Sequence, residues 1–139
     1  MSWVLDASAA LGLALGDGDD TLASAISARL EQGGAIVPQH WALEVNNGLL
    51  VATRRGRLPA MAGHRAQQLL LGLPIEIDPE TAERCWGSAF DLALKFGLTV
   101  YDAAYLEVAQ RRGASLATAD RALAAASRKA GVPLLTGDI

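Results

Sequence analysis

Cysteine is almost absent from this chain. Cys85 stands alone among 139 residues, so no internal disulfide can form and no cysteine cluster is available for zinc. Its neighbour Trp86 and the apolar helical pattern around it predict a buried, inert thiol. Histidine is nearly as scarce: His40 and His64 are each isolated in sequence, and surface or capping roles are the expectation for both. Long hydrophobic runs are missing too. Stretches such as Ala9 to Leu15 are short and broken by glycine, whereas a membrane-spanning helix needs about 20 apolar residues. The opening MSWVLDAS carries no basic leader before an apolar run, so no signal peptide is expected and the cytoplasm is the expected compartment.

Net positive charge is the last absence. The formal charge is −3 and the pI about 5.3, which argues against a general binder of polyanions, because phosphate backbones reward a positive surface. Any nucleic-acid contact must therefore be local. The basic residues do cluster, as Arg54, Arg55 and Arg57, as Arg111 and Arg112, and as Arg121, Arg128 and Lys129. Each cluster alone is expected to be a solvated helix end, where cations are stabilising.

What the chain does have is 51% apolar composition over 139 residues, enough to bury a core and matching one domain over residues 1–139. No repeat, low-complexity tract or linker interrupts it. Short apolar runs at residues 2–5, 35–37, 74–77, 114–118 and 132–135 read as strands, and helical patterns lie between them. The helix predicted from about His40 to Arg55 has Trp41, Val45, Gly48, Leu49 and Ala52 on one buried stripe. A helix from Asp78 to about Phe96 is expected to turn Ala82, Trp86, Ala89, Phe90 and Ala93 inward. In the next helix Tyr101, Ala104, Tyr105 and Val108 share a buried face. Trp3, Trp41 and Trp86 are expected in the core or at a dimer contact. Strands alternating with helices indicate an α/β fold around a mainly parallel sheet.

Four acids occupy suggestive places in that pattern. Asp6 and Asp120 directly follow predicted strands, Asp102 opens a helix and Glu44 lies one turn into another. Ligands of open parallel sheets bind beyond the carboxyl ends of the strands. Each aspartate alone has an ordinary explanation as a helix cap or first-turn acid, worth about 0.5 to 2 kcal/mol. The set is harder to explain that way, since two carboxylates about 4 Å apart repel by roughly 4 kcal/mol at an effective dielectric near 20. A converging cluster would hold protons or a divalent cation. Oxygen ligands without histidine or cysteine favour Mg²⁺ or Mn²⁺ over zinc. Such ions activate water and clamp phosphodiester oxygens.

The motifs VLDASA at 4–9, LEVNN at 43–47, LTVYDAAYLEVA at 98–109 and LATADRAL at 116–123 together resemble the PIN-domain ribonucleases, and especially the VapC-like toxins of toxin–antitoxin pairs. The resemblance covers nearly the whole chain, in order and spacing. It implies a three-layer α/β/α sandwich and a Mg²⁺- or Mn²⁺-dependent endoribonuclease with Asp6, Glu44, Asp102 and Asp120 as its acidic, metal-binding quartet. On this reading Asp6 and Asp102 hold the main ion, while Glu44 and Asp120 complete or water-bridge the shell. Ser8 and Asn47 match the family's supporting hydroxyl and amide, Thr118 is placed to orient Asp120 or the ion, and Tyr101 and Tyr105 are expected to anchor Asp102. Arg54, Arg55 and Arg57 are the expected guides for RNA. The family further implies a homodimer, an antitoxin protein whose C-terminal segment covers the site, and structured RNA such as transfer RNA as substrate.

Two rival readings differ in class. A phospho-acceptor domain would also place acids at strand ends, but it would need lysine beside its nucleophilic aspartate, and Lys95 and Lys129 are the only lysines, both on predicted helices. A non-catalytic binding module on the same fold would not need four intact acids, and all four positions here are acidic.

Overall fold

The computed structural model describes residues 2–136. The chain runs β1 (Trp3–Leu5), α1 (Ala7–Leu15), α2 (Asp20–Gln32), β2 (Ala35–Val37), α3 (Trp41–Arg54), α4 (Ala60–Leu71), β3 (Ile75–Ile77), α5 (Thr81–Arg84), α6 (Ser88–Phe96), α7 (Val100–Arg112), β4 (Ser115–Ala117) and α8 (Arg121–Lys129). The four strands form one parallel sheet in the order β3-β2-β1-β4. Val4 lies opposite Ile36 on one side and Leu116 on the other. Strands β1, β2 and β4 are buried throughout, as a parallel sheet covered on both faces requires. Helix α1 packs against α2, α3 and α4, while α7 packs against α5, α6, α8 and strands β1 and β4. The result is the expected three-layer α/β/α sandwich.

Strand order decides where a ligand can sit. From β1 the chain moves outward to β2 and β3, then returns past β1 to place β4 on its other side. The order reverses between β1 and β4. In open sheets of this kind ligands bind beyond the carboxyl ends of the strands at such a reversal. Two glycines help to hold the surrounding helices in place. Gly113, at φ 61°, ends α7 in the left-handed conformation that glycine adopts at little cost and turns the chain into β4. A Cβ on Gly48 of α3 would lie 2.5 Å from a methyl of Leu11 on α1, so its absence lets the two helices close together.

Several expectations need correction. The helix expected from Asp78 to Phe96 is two helices, parted at Cys85 to Gly87. The break takes Trp86 out of the inward stripe: it is 90% exposed, and Phe90 is 50% exposed, while Ala89 and Ala93 do face inward. Cys85 is half-buried, its thiol donating to the Ala82 carbonyl. The last expected strand reduces to one bridge between Leu134 and Leu116. Tyr105 is buried as expected, but Tyr101 is not.

Arg111 and Arg112 are more than a solvated helix end. Arg111 reaches both carboxylate oxygens of Asp78, at 3.1 and 2.8 Å, and also pairs with Glu107 and Glu80, while Arg112 pairs with Glu76. Asp78 is wholly buried. Burial alone would raise its pKa, yet the hydrogen bonds and charge of Arg111, with Thr81, bring it below the ordinary carboxylate value. This network pins the far end of α7 to the loop after β3.

Candidate active site

Asp6 is the first residue after β1, and its backbone N–H still donates to Ala117 of β4, so these two strands fix its position. It is also the N-cap of α1, with Oδ1 accepting from Ala9 N at 2.8 Å. Two hydroxyls supply the rest of its coordination. Ser8 Oγ donates to the carboxylate at 2.8 Å, and Thr118 Oγ1, just past β4, donates to Oδ2. Behind these hydroxyls stand two backbone donors: Ala119 N to Ser8 Oγ at 2.9 Å and Asp120 N to Thr118 Oγ1 at 3.0 Å. Ser8 and Thr118 thus both bond to Asp6, and Thr118, expected beside Asp120, directs its hydroxyl to Asp6 and only its acceptor side to Asp120. Burial raises the Asp6 pKa to about 6, against the hydrogen bonds from Thr118, Ala9 and Ser8, and the nearby charge of Asp102 pushes it the same way.

Asp120 caps α8, with Oδ1 accepting from Leu123 N at 3.0 Å. Capping occupies one oxygen and leaves the other free of protein donors among the described residues. Thr99, the N-cap of α7, accepts from Asp102 N at 3.1 Å and so sets Asp102 in the first turn. The Asp102 pKa is raised, by burial first and then by the negative charges of Asp120 and Glu44. Glu44 belongs to the first turn of α3. Its Oε1 accepts from the Tyr105 hydroxyl at 2.6 Å and lies 3.3 Å from His40 Nε2. Tyr105, expected to anchor Asp102, therefore anchors Glu44 through its hydroxyl. His40 also belongs to the site wall, with Nε2 3.0 Å from the Tyr101 carbonyl oxygen. Nothing in its sequence neighbourhood reveals this, because both tyrosines lie about sixty positions away.

The four acids thus share one field, each from a different element. They do not close into a cage, since among the described residues no three acid, histidine or cysteine side chains form a ready ligand set. Nor does any arginine or lysine pair with one of them among the described residues. The charge is left to water or to a bound cation. Asn47, three residues after Glu44, is exposed on α3, and no hydrogen bond ties it to the carboxylates among the described residues.

Beside the acids runs an open groove of about 760 Å³ between α1 and α3. Ser8 and Ala119 line its inner end, and Arg57 lines it as well. Arg54 and Arg55 are exposed at the end of α3.

Comparison with known proteins gives the family of the fold. Over 83 residues, 60% of this chain, the sequence is 39% identical to Ribonuclease VapC3 of Pyrobaculum aerophilum. That match spans 63% of the relative's length, less than two thirds. The crystal structure of PAE2754 from the same organism superposes with a TM-score of 0.68 at 28% identity, covering 91% of this chain and 86% of that one. The PIN domain model matches residues 3–129, and with nearly the whole chain so covered, the protein belongs to the PIN-domain family.

Proposed function

We propose that this protein is a metal-dependent endoribonuclease of the VapC type, the toxin of a toxin–antitoxin pair. The observation that carries the reading is the cluster of Asp6, Glu44, Asp102 and Asp120, with which no arginine or lysine pairs among the described residues and in which the pKa values of Asp6 and Asp102 are both raised. A fold that only needed helix caps would not place four acids in one field at a topological switch point. The family and the similarity to a protein named a ribonuclease support the same conclusion.

The donor chemistry suits Mg²⁺ or Mn²⁺. All the site's donors are oxygens, and Mg²⁺ keeps several waters and takes only one or two carboxylates directly, so an open set of acids fits it better than a closed cage would. Asp6 and Asp102 are the residues that would hold the ion, with Glu44 and Asp120 completing or water-bridging its shell. The ion, when bound, lowers the pKa of water and offsets charge on the phosphodiester. The chain's own residues position and polarise. Ser8 and Thr118 hold the Asp6 carboxylate in one orientation. Tyr105 and His40 occupy Oε1 of Glu44, leaving Oε2 for the site. Arg57, with Arg54 and Arg55 beyond it, is the positive end of a groove that begins at the acids, and it gives an RNA backbone the local contact that the overall charge denies it.

The substrate we favour is a structured RNA such as transfer RNA. A second copy of the chain and an antitoxin are the expected protein partners. Exposed Trp86, Phe90 and Leu94, spaced four residues apart, support a protein-binding face. No helix among the described residues is long and apolar enough to cross a membrane.

Incubating purified protein with RNA and Mg²⁺ or Mn²⁺, and sequencing the new ends, tests the reading. Cleavage at a dominant site, stopped by EDTA and reduced at least about 100-fold in a folded Asp102→Asn variant, is expected. Equal cleavage by that variant would sink it, and metal-independent binding without cleavage would favour a non-catalytic module.

A further inference from the structure

Tyr101 and Tyr105 sit one turn apart on α7, and the fold treats them oppositely. Tyr105 is 1% exposed and Tyr101 is 63% exposed. An aromatic ring left open to water needs a reason, and this one is held in place. His40 Nε2 is 3.0 Å from the Tyr101 carbonyl oxygen, which fixes the backbone of the first turn of α7. The His40 ring stands 5.8 Å from the Tyr101 ring at 49°, and 5.1 Å from the Tyr105 ring in an edge-on contact. Tyr101 is therefore backed by a ring that is itself wedged against buried Tyr105. Its chain neighbour is Asp102, and consecutive Cα atoms lie about 3.8 Å apart, so ring and carboxylate rise from adjacent points of one helical turn.

The electrostatics of the site ask for such a surface. Four carboxylates and a formal charge of −3 repel a polyanion at the very place where its bond would be cut. Arg57 lines the groove on the α3 side, away from this rim. Beyond the cation the acids would hold, binding energy close to the reacting bond has to come from something other than the chain's own charge. Stacking of an unpaired base on an aromatic ring is indifferent to that repulsion, because every base has a π-face.

We propose that Tyr101 is a stacking platform for an unpaired nucleobase next to the scissile phosphodiester, with His40 as the residue that sets its ring. The proposal rests on the ribonuclease reading above. It makes the substrate class single-stranded or looped RNA, since a base paired within a duplex cannot leave its stack to meet the ring.

The test pairs a protein change with an RNA change. Short RNAs spanning the mapped cut are prepared intact and with an abasic residue placed in turn on each side of it. Half-saturating protein concentrations are then measured in single-turnover cleavage with Mg²⁺. Tyr101→Ala is expected to raise that concentration for intact RNA by about 5- to 150-fold, the range of one base–aromatic stack, with Tyr101→Phe restoring it. For one of the abasic RNAs the Ala penalty disappears. An equal penalty on every RNA, no penalty at all, or a penalty that tracks a change in oligomeric state by sedimentation overturns the proposal, the last pointing to a second copy as the ring's true cover. If cleavage is robust and only the cycle fails, this inference falls and the ribonuclease reading stands; if the wild-type protein neither binds nor cuts RNA, both fall.

Discussion

Replacing Asp6 with asparagine separates what this carboxylate contributes to the fold from what it contributes to the site. Its pKa rises from the ordinary value of 3.8 to about 6 in the folded protein, chiefly through burial. The folded state therefore prefers the protonated form. The stabilising effect of that preference is fully present below pH 3.8 and is lost as pH rises through about 6. At about 1.4 kcal/mol per pH unit, ionised Asp6 costs the metal-free protein about 3 kcal/mol at neutral pH. Asparagine resembles the neutral acid. Its Oδ1 keeps the cap from Ala9 N, and the hydroxyls of Ser8 and Thr118 can rotate to accept from its amide. Asp6→Asn should thus match wild type near pH 4 and exceed it by up to about 3 kcal/mol by pH 7.5, a shift of roughly 10 °C in melting temperature. Thermal and urea unfolding in EDTA across pH 4 to 7.5 measure the gap. Added Mn²⁺ should narrow it from the wild-type side, because only wild type regains a charged partner. A gap that stays flat with pH, or a variant less stable than wild type at pH 7.5, would refute the argument that Asp6 is held ionised against the fold.

Two further changes probe the supports on either end of α7. Tyr105→Phe removes the 2.6 Å hydrogen bond to Glu44; since Glu44 is partly exposed and water can replace the hydroxyl, a loss of about 1 kcal/mol is expected by urea unfolding, with RNA cleavage falling more than stability does. Arg111→Met takes the closest cationic partner from the wholly buried Asp78 and from Glu107, leaving Asp78 with Thr81 and the Arg112 guanidinium at 3.6 Å, so a loss of about 3 kcal/mol is expected. Asp78 titrates low in the wild type, hence its contribution is present above its unfolded pKa of 3.8 and fades as pH falls through its lower folded value; the wild-type advantage over Arg111→Met should therefore shrink in acid, as measured by the same unfolding assay.

Local pattern made much of the architecture readable. Apolar runs of three to five residues marked all four strands, although β3 is largely exposed and the run at 132–135 makes one bridge only, and the helices between them could cover a sheet on both faces. Helix caps at Asp6 and Asp120 were legible because a cap is a contact between near neighbours. Trp86 and Phe90 were misplaced because periodicity assumes an unbroken helix, and the break at Cys85 to Gly87 resets the phase. The alternating signals for Tyr101 and Tyr105 were identical in sequence; only the packing of α6, α3 and His40 around α7 buried one and exposed the other.

For the candidate site the division is similar. Sequence alone determined that four acids stand at the ends or first turns of elements, that no histidine–cysteine set competes with them, and that Ser8 and Thr118 accompany the acids. These follow from residue type and position along the chain. The tertiary structure decided that Thr118 serves Asp6, that Tyr105 serves Glu44 and that His40 joins them, because those contacts span 112, 61 and 61 positions. It also decided that, among the described residues, no arginine or lysine pairs with the acids, and that His40 stands beside Glu44. Whether a charge is compensated depends on what the fold brings within a few ångströms of it, and sequence order does not encode that distance.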